Sequence, residues 1–305
     1  MRKIVTIDSP LIELQRRLAS LPPPVIIYNK SHSGSRLLAR VLMEQGLFLG
    51  ACRNESEDAL PLLPVVEACV TRFYPDYGTL WRDRGCGSAR LAALIVEGFE
   101  RHLADYDPAA GRPWGWKLCE TLYAMPVFAR LFPRARVVHL LRDGRDVAWC
   151  NHVAPELPFW RKVYFNTDGI RRWRGHALTN AAYERRPHLY NALHWKNSVE
   201  VGRAYGAMLA DQYAELRYED LCGNFAGTMT SLLEWLGITP DPAALDRWVK
   251  LVHRGSIGKH LQKPRRAQHA VLQLIEPTLA SFGYLAVQPL VPDRARFLPG
   301  WLRRQ

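Results

Sequence analysis

Lys30, His32 and Arg36 alternate with Ser31, Ser33 and Ser35 around Gly34, so basic groups and hydroxyls are crowded into one short stretch. Such a set can hold an anion, and the flanking sequence strengthens that reading. Val25, Ile26, Ile27 and Tyr28 precede it as an apolar, β-branched run that suits a buried strand. Leu37, Leu38, Val41 and Leu42 follow it on one helical face. Strand, small-residue loop and helix together aim free N–H groups and a positive helix end at one point, where phosphate or sulfate is the natural occupant. The plainer alternative is a turn that caps a helix and binds nothing.

The loop does not read G-x-x-x-x-G-K-[ST], the nucleotide phosphate loop, because its single glycine, Gly34, is followed by Ser35. Other basic positions lie further along. Gly115 to Leu118 reads as a short buried strand containing Lys117, and Arg136 to Leu141 as a stronger one that ends at Arg142. Arg142 can grip a phosphate through two parallel hydrogen bonds, or pair with Asp143 or Asp146. Arg145 can pair with Asp146 or Glu219. Lys117 can also be a lysine that merely reaches solvent along its stem. A basic loop runs from His253 to His260. No acidic cluster has Mg²⁺ spacing, so no metal is expected, and an ordinary kinase is disfavoured.

These groups need a scaffold. The pattern predicts a helix over Leu11–Leu18, an acidic patch Asn54–Asp58 opening a helix through Leu62 to Val70, and helices near 89–105, 121–132, 194–210, 225–236, 243–252 and 267–281. A further strand is expected over Tyr213–Arg217. Alternating strands and helices predict an α/β fold, a parallel sheet flanked by helices on both faces, whose ligands lie beyond the carboxyl ends of the strands. One domain over 1–305 is expected, with a helical insert at about 55–110 and an irregular insert at about 155–190. The latter carries Trp160, Tyr164, Phe165, Trp173 and Tyr183 among arginines, a composition that suits acidic sugar rings or a hydrophobic core with a basic rim.

The motifs in series resemble the sulfotransferases that use 3′-phosphoadenosine-5′-phosphosulfate (PAPS), above all the bacterial ones. His32-Ser33-Gly34-Ser35 stands where that family has its basic-Ser-Gly-[Thr/Ser] loop, with His in place of the usual Arg or Lys. Trp114-Gly115-Trp116-Lys117, Phe132-Pro133-Arg134-Ala135 and Arg142-Asp143-Gly144-Arg145-Asp146-Val147 follow in the family's order. Leu216-Arg217-Tyr218-Glu219-Asp220-Leu221 and Gly255-Ser256-Ile257-Gly258-Lys259 resemble its later nucleotide elements. The resemblance implies a fold like that of phosphate-loop NTPases and transfer of a sulfuryl group from PAPS to a hydroxyl or amine, leaving PAP.

By that match Lys30, Ser31, His32, Ser33, Gly34, Ser35 and Arg36 hold the 5′-phosphosulfate. Arg142, with Cys150 where the family usually has Ser, holds the 3′-phosphate, and Tyr218, Gly258 and Lys259 complete the nucleotide site. Lys117 is the candidate for the leaving oxygen. Asp58 and Glu55 are the first candidates for general base, His32 is the second, and Glu120 is a third. The acceptor expected is a carbohydrate or glycolipid, then a phenol or lipid alcohol. A non-catalytic PAP, PAPS or glycan binder of the same fold stays open as an alternative, and a small-molecule kinase stands behind it.

Composition sets the remaining bounds. Among 305 residues the net charge is +12, which favours acidic partners, and an anionic membrane face is one of them. No nucleic-acid module is visible, so nucleic acid is not expected. Six scattered cysteines without metal or redox spacing, and no signal-peptide core after Met1, favour the cytoplasm.

Overall fold

A computed structural model of the chain describes residues 9–74, 76–78, 89–150, 184–252 and 254–285, with side chains from residue 13 onward. Its centre is a parallel sheet of β1 (Val25–Asn29), β2 (Gly115–Lys117), β3 (Arg136–Leu141) and β4 (Tyr213–Arg217), in the order β2-β1-β3-β4. In register, Ile27 faces Lys117 on one side of β1, while Asn29 faces Leu140 on the other. Leu141 of β3 faces Arg217 of β4. The carboxyl ends of all the strands therefore open on one edge.

Every residue of β1 is buried, which explains its unbroken apolar run. Side chains alternate across it. Ile26 and Tyr28 face a core with Trp116, Phe128 and Val137. Val25 and Ile27 face a second core with Leu38, Leu42, Val138 and Leu140. Helices cover both faces: α1 (Ser9–Ala19), α3 (Leu63–Phe73), α4 (Ala89–His102) and α5 (Thr121–Leu131) lie with the first core. On the second core lie α2 (Ser35–Glu44), α9 (Phe225–Leu236) and α10 (Pro242–Leu251), with the short α8 (Tyr218–Gly223) leading in from β4. A third cluster around Trp195 joins the short α6 (Gly144–Val147) to α7 (Pro187–Gly206) and α11 (Arg265–Ser281). The expected doubly covered parallel sheet is thus present.

Two stretches differ from the sequence expectation: Asn54–Asp58, and the helix expected near 194–210, which is α7 and runs from Pro187 to Gly206. The acidic stretch Asn54–Asp58 does not open a helix. Asn54 Oδ1 accepts the N–H groups of Ser56 and Asp58, both at 2.9 Å, and closes a turn instead. Helix α3 begins only at Leu63, with Pro64 in the first-turn position that tolerates it. The segment 155–190 lies mostly outside the described residues, including Trp160, Tyr164, Phe165, Trp173 and Tyr183, and its last residues from Pro187 belong to α7. Among the described residues no helix is long and apolar enough to cross a membrane.

Gly115 opens β2 because nothing larger fits. A Cβ there would lie 1.9 Å from the carbonyl oxygen of Val25. Gly115→Ala is therefore expected to lower stability by about 3 kcal/mol through forced separation of β1 and β2, measured as a shift of the urea midpoint.

Candidate functional site

At the carboxyl end of β1 the chain turns through Lys30–Gly34 into α2. The turn is tight. Ser33 Oγ donates to the Lys30 carbonyl at 2.6 Å, and Asn29 Nδ2 donates to the same oxygen at 2.6 Å. His32 and Gly34 both have positive φ, 69° and 91°. Gly34 has to be glycine for a second reason, since a Cβ would stand 2.4 Å from the Tyr218 ring. Helix α2 starts at Ser35 without a side-chain cap, so its first N–H groups face the loop. Lys30 is buried, with its ammonium on Ser31 Oγ. Burial brings its pKa down to about 8, against the opposing fields of Cys119, Glu120 and Cys150. Arg36 and His32 are exposed on the loop's outer side.

The end of β2 carries a second buried ammonium. Lys117 is 1% exposed, and its Nζ donates to Asp58 Oδ1 at 2.7 Å and to the Ser56 carbonyl at 3.0 Å. Burial alone would lower the pKa of Lys117, but the fields of Cys119, Asp58 and Glu120 outweigh it and the net shift is upward. The Asn54–Asp58 turn is placed for this contact because Ala59 N–H donates to the Lys117 carbonyl at 2.8 Å. Its other carboxylates are not near Lys117 in function: Glu57 is held by Arg40 and Arg53 at 2.9 and 3.1 Å, and Glu55 is exposed. Glu120 follows β2, and burial together with the Asp58 charge pushes its carboxyl upward.

Arg142 leaves the end of β3. It is 5% exposed and forms no ion pair with Asp143 or Asp146. Its Nη1 donates to the His32 carbonyl at 2.9 Å, its Nη2 donates to the Ser256 carbonyl, and its guanidinium lies 4.9 Å from the Tyr218 ring centre. It thereby bolts the β1 loop to the loop around Ser256. Asp143 instead caps α6 and pairs with Arg145 at 2.6 Å. Asp146 collects the distant loop: its carboxylate accepts from Gly258 N at 2.7 Å, His260 N at 3.0 Å and His260 Nδ1 at 2.6 Å. Burial would raise the Asp146 pKa, but the bonds from His260 and Gly258 prevail and hold it below its usual range. The result brings Lys259 Nζ to 2.8 Å from Cys150 Sγ.

The structure therefore gathers Lys30, Ser31, Ser33, Gly34, Ser35, Arg142, Cys150, Tyr218, Gly258 and Lys259 along the ends of β1, β3 and β4, and Lys117 with Asp58 at the end of β2. From the sequence, Asp146 is a candidate ion-pair partner of Arg142 or Arg145 and His260 only the end of a basic loop; the structure pairs the two with each other. The Asp that closes the Arg-Asp-x-Arg-Asp motif, together with a basic loop far along the chain, was the available signal. Glu120 gained weight only in space. Among the described residues no group of His, Cys, Asp and Glu could hold a metal ion.

The sulfotransferase family profile matches residues 24–242. No curated protein sequence matches the chain. Sulfotransferase STF9 from Mycobacterium avium is 12% identical over 89% of this chain and 80% of its own, with a TM-score of 0.48. A sulfotransferase from Alicyclobacillus acidocaldarius is 14% identical over 88% and 97%, with a TM-score of 0.48. The sulfotransferase domain of the Synechococcus PCC 7002 olefin synthase is 18% identical over 85% and 95%, with a TM-score of 0.45.

Asp146→Asn should cost about 2–3 kcal/mol, the scale of hydrogen bonds to a buried charge. Because the folded pKa is depressed, the Asp146 contribution is complete above the ordinary carboxylate range and is lost as pH falls through the folded value. Urea titrations across acidic pH should show that limb in the parent and a flatter one in Asp146→Asn.

Proposed function

The chain belongs to the sulfotransferase family, and on that footing we propose that it transfers a sulfuryl group from PAPS to a hydroxyl or amine, with a carbohydrate or glycolipid as the preferred acceptor. The observation that supports the donor most is the line of buried cations along one sheet edge: Lys117 after β2, Lys30 after β1 and Arg142 after β3. PAPS carries anionic groups at both ends of an adenosine and suits such a row.

The residues present fit the donor. The loop from Lys30 to Arg36, with Ser31, His32, Ser33, Gly34 and Ser35, offers N–H groups, hydroxyls and the Lys30 ammonium to the 5′-phosphosulfate. Arg142 Nε is buried without a hydrogen-bond partner among the described residues, and a 3′-phosphate oxygen would supply one. Cys150 and Lys259 lie beside that position, and Gly258 gives the loop its turn at φ 75°. Tyr218 supports the nucleotide region from beneath Gly34 and Arg142.

Sulfuryl transfer, by analogy with phosphoryl transfer, places charge on the bridging oxygen as the bond to sulfur loosens. Lys117 is suited to stabilise that oxygen because its upward-shifted pKa keeps it charged and Asp58 fixes its direction. His32 is exposed at the loop and Glu55 in the turn, and neither is held against Lys117 as Asp58 is. The reaction is assigned to the cytoplasm, where the free thiols of Cys52, Cys69, Cys119, Cys150 and Cys222 would persist.

PAP, and not ATP, should raise the melting temperature, with about 2.7 kcal/mol of stabilisation at about a hundredfold excess over Kd. A chain stabilised by ATP with Mg²⁺ and indifferent to PAP would contradict the donor assignment. Lys117→Met should reduce transfer of radiolabelled sulfate from PAPS by about 10²–10³-fold while PAP affinity, read by calorimetry, stays within about threefold. Lys30 is charged below about 8, and a bound anion favours that form. PAP affinity should therefore weaken by about tenfold between about pH 7 and about pH 9, and Lys30→Met should remove that dependence.

A further inference from the structure

Sulfuryl transfer as proposed above, on which this inference rests, needs a group that takes the acceptor's proton. Asp58 is engaged on both oxygens: Oδ1 accepts from Lys117 Nζ at 2.7 Å and Oδ2 from Asn54 Nδ2 at 3.2 Å. A carboxylate committed in this way orients an ammonium well and accepts a further proton poorly. Protonating it would also strip Lys117 of its nearest counter-charge.

Glu120 is placed differently. It stands just before α5, with Leu118 and Cys119 between it and β2, and lines a small cavity with Lys30, Ser31, Tyr123, His194 and Ser198. Among the described residues no side chain of another residue hydrogen-bonds or pairs with its carboxylate. The charged and titratable groups that face it come from every neighbouring element: Lys30 from the β1 loop, Lys117 from β2, Cys119 from the link between β2 and α5, Asp58 from the turn, Tyr123 from α5 and His194 from α7. Lys30 and Lys117 lower its pKa, but burial and Asp58 prevail and raise it. A carboxyl raised toward neutrality is better matched to taking a proton from an alcohol than an ordinary one.

We propose that Glu120 is the general base for the acceptor and that Asp58 is a positioning residue for Lys117. As the acceptor oxygen forms its bond to sulfur, its proton moves to a Glu120 carboxylate oxygen. The bond between sulfur and the bridging oxygen breaks, its electron pair stays on the 5′-phosphate of PAP, and Lys117 faces that oxygen. The cavity beside Lys30 is then where the acceptor's reacting group, or a water in its place, meets the loop that holds the sulfuryl group. Release of PAP resets Glu120 by loss of its proton to solvent.

The test needs no knowledge of the acceptor, because water can take the sulfuryl group. Release of PAP and sulfate from PAPS alone is followed across pH for the parent, Glu120→Gln, Glu120→Asp and Asp58→Asn, with PAP affinity measured for each. Glu120→Gln should lose the acidic limb of the kcat/KM profile and at least about tenfold in rate, with PAP affinity held within about twofold. Glu120→Asp should keep the limb at a lower rate, which separates chemistry from folding. Asp58→Asn should lower kcat and keep the limb. A parental profile in Glu120→Gln, with a flattened one in Asp58→Asn, would return the base to Asp58 and overturn the proposal. A parent that neither binds PAP nor consumes PAPS would overturn the donor reading on which the proposal stands.

Discussion

Positive charge buried at one edge of a parallel sheet is the constraint around which this molecule is arranged. Two ammonium groups and a guanidinium lose most of their water at the ends of β2, β1 and β3. Desolvation of that kind is costly unless counter-charge or hydrogen-bond acceptors replace the solvent. Each strand end meets the cost differently. Lys117 is matched by a carboxylate and a carbonyl, and stays fully charged. Arg142 is matched by the carbonyls of His32 and Ser256 and by an aromatic face. Lys30 is compensated less completely, which is why its pKa falls to about 8.

Much of the surrounding architecture follows from those compensations. The Asn54–Asp58 turn is folded on its own asparagine and pinned to β2, so that one carboxylate reaches Lys117. Asp146, itself almost fully buried, is kept ionised by a loop more than a hundred residues away, the separation to His260 being 114. That loop in turn supplies the Ser256 carbonyl to Arg142 and the Lys259 ammonium to Cys150. The basic edge is therefore one connected network and not a set of independent side chains. An incoming anion would alter the balance for all of them, with Lys30 having the most to gain.

The scaffold was largely legible in the sequence because strands buried on both faces write themselves as unbroken apolar runs. Val25–Tyr28 and Val137–Leu141 are of that kind, and the residues that leave their ends, Lys30 and Arg142, could be placed without a structure. Helix α7 was found at its apolar middle but begins earlier, at Pro187, where the residue pattern was obscured by arginines and histidine. What could not be read was which distant group answers which charge. Asp58 and Glu55 are equivalent on paper. A turn closed by Asn54 decides that one meets Lys117 and the other meets solvent. Arg145 was expected to pair with Asp146 or Glu219, whereas it pairs with Asp143, which depends on how α6 is capped. The partnership of Asp146 with His260 depends on tertiary closure and leaves no local periodic trace.

The contact of Gly34 with the Tyr218 ring carries a consequence for how this chain can change over time. The ring occupies the space that a side chain at position 34 would need, and it also lies against the Arg142 guanidinium. Position 34 therefore cannot drift while the ring is in place. A bulkier residue at 34 requires a smaller one at 218, and that exchange removes the aromatic surface beneath the arginine. In any lineage descended from this chain, a side chain at position 34 should appear only after the ring at 218 has been lost.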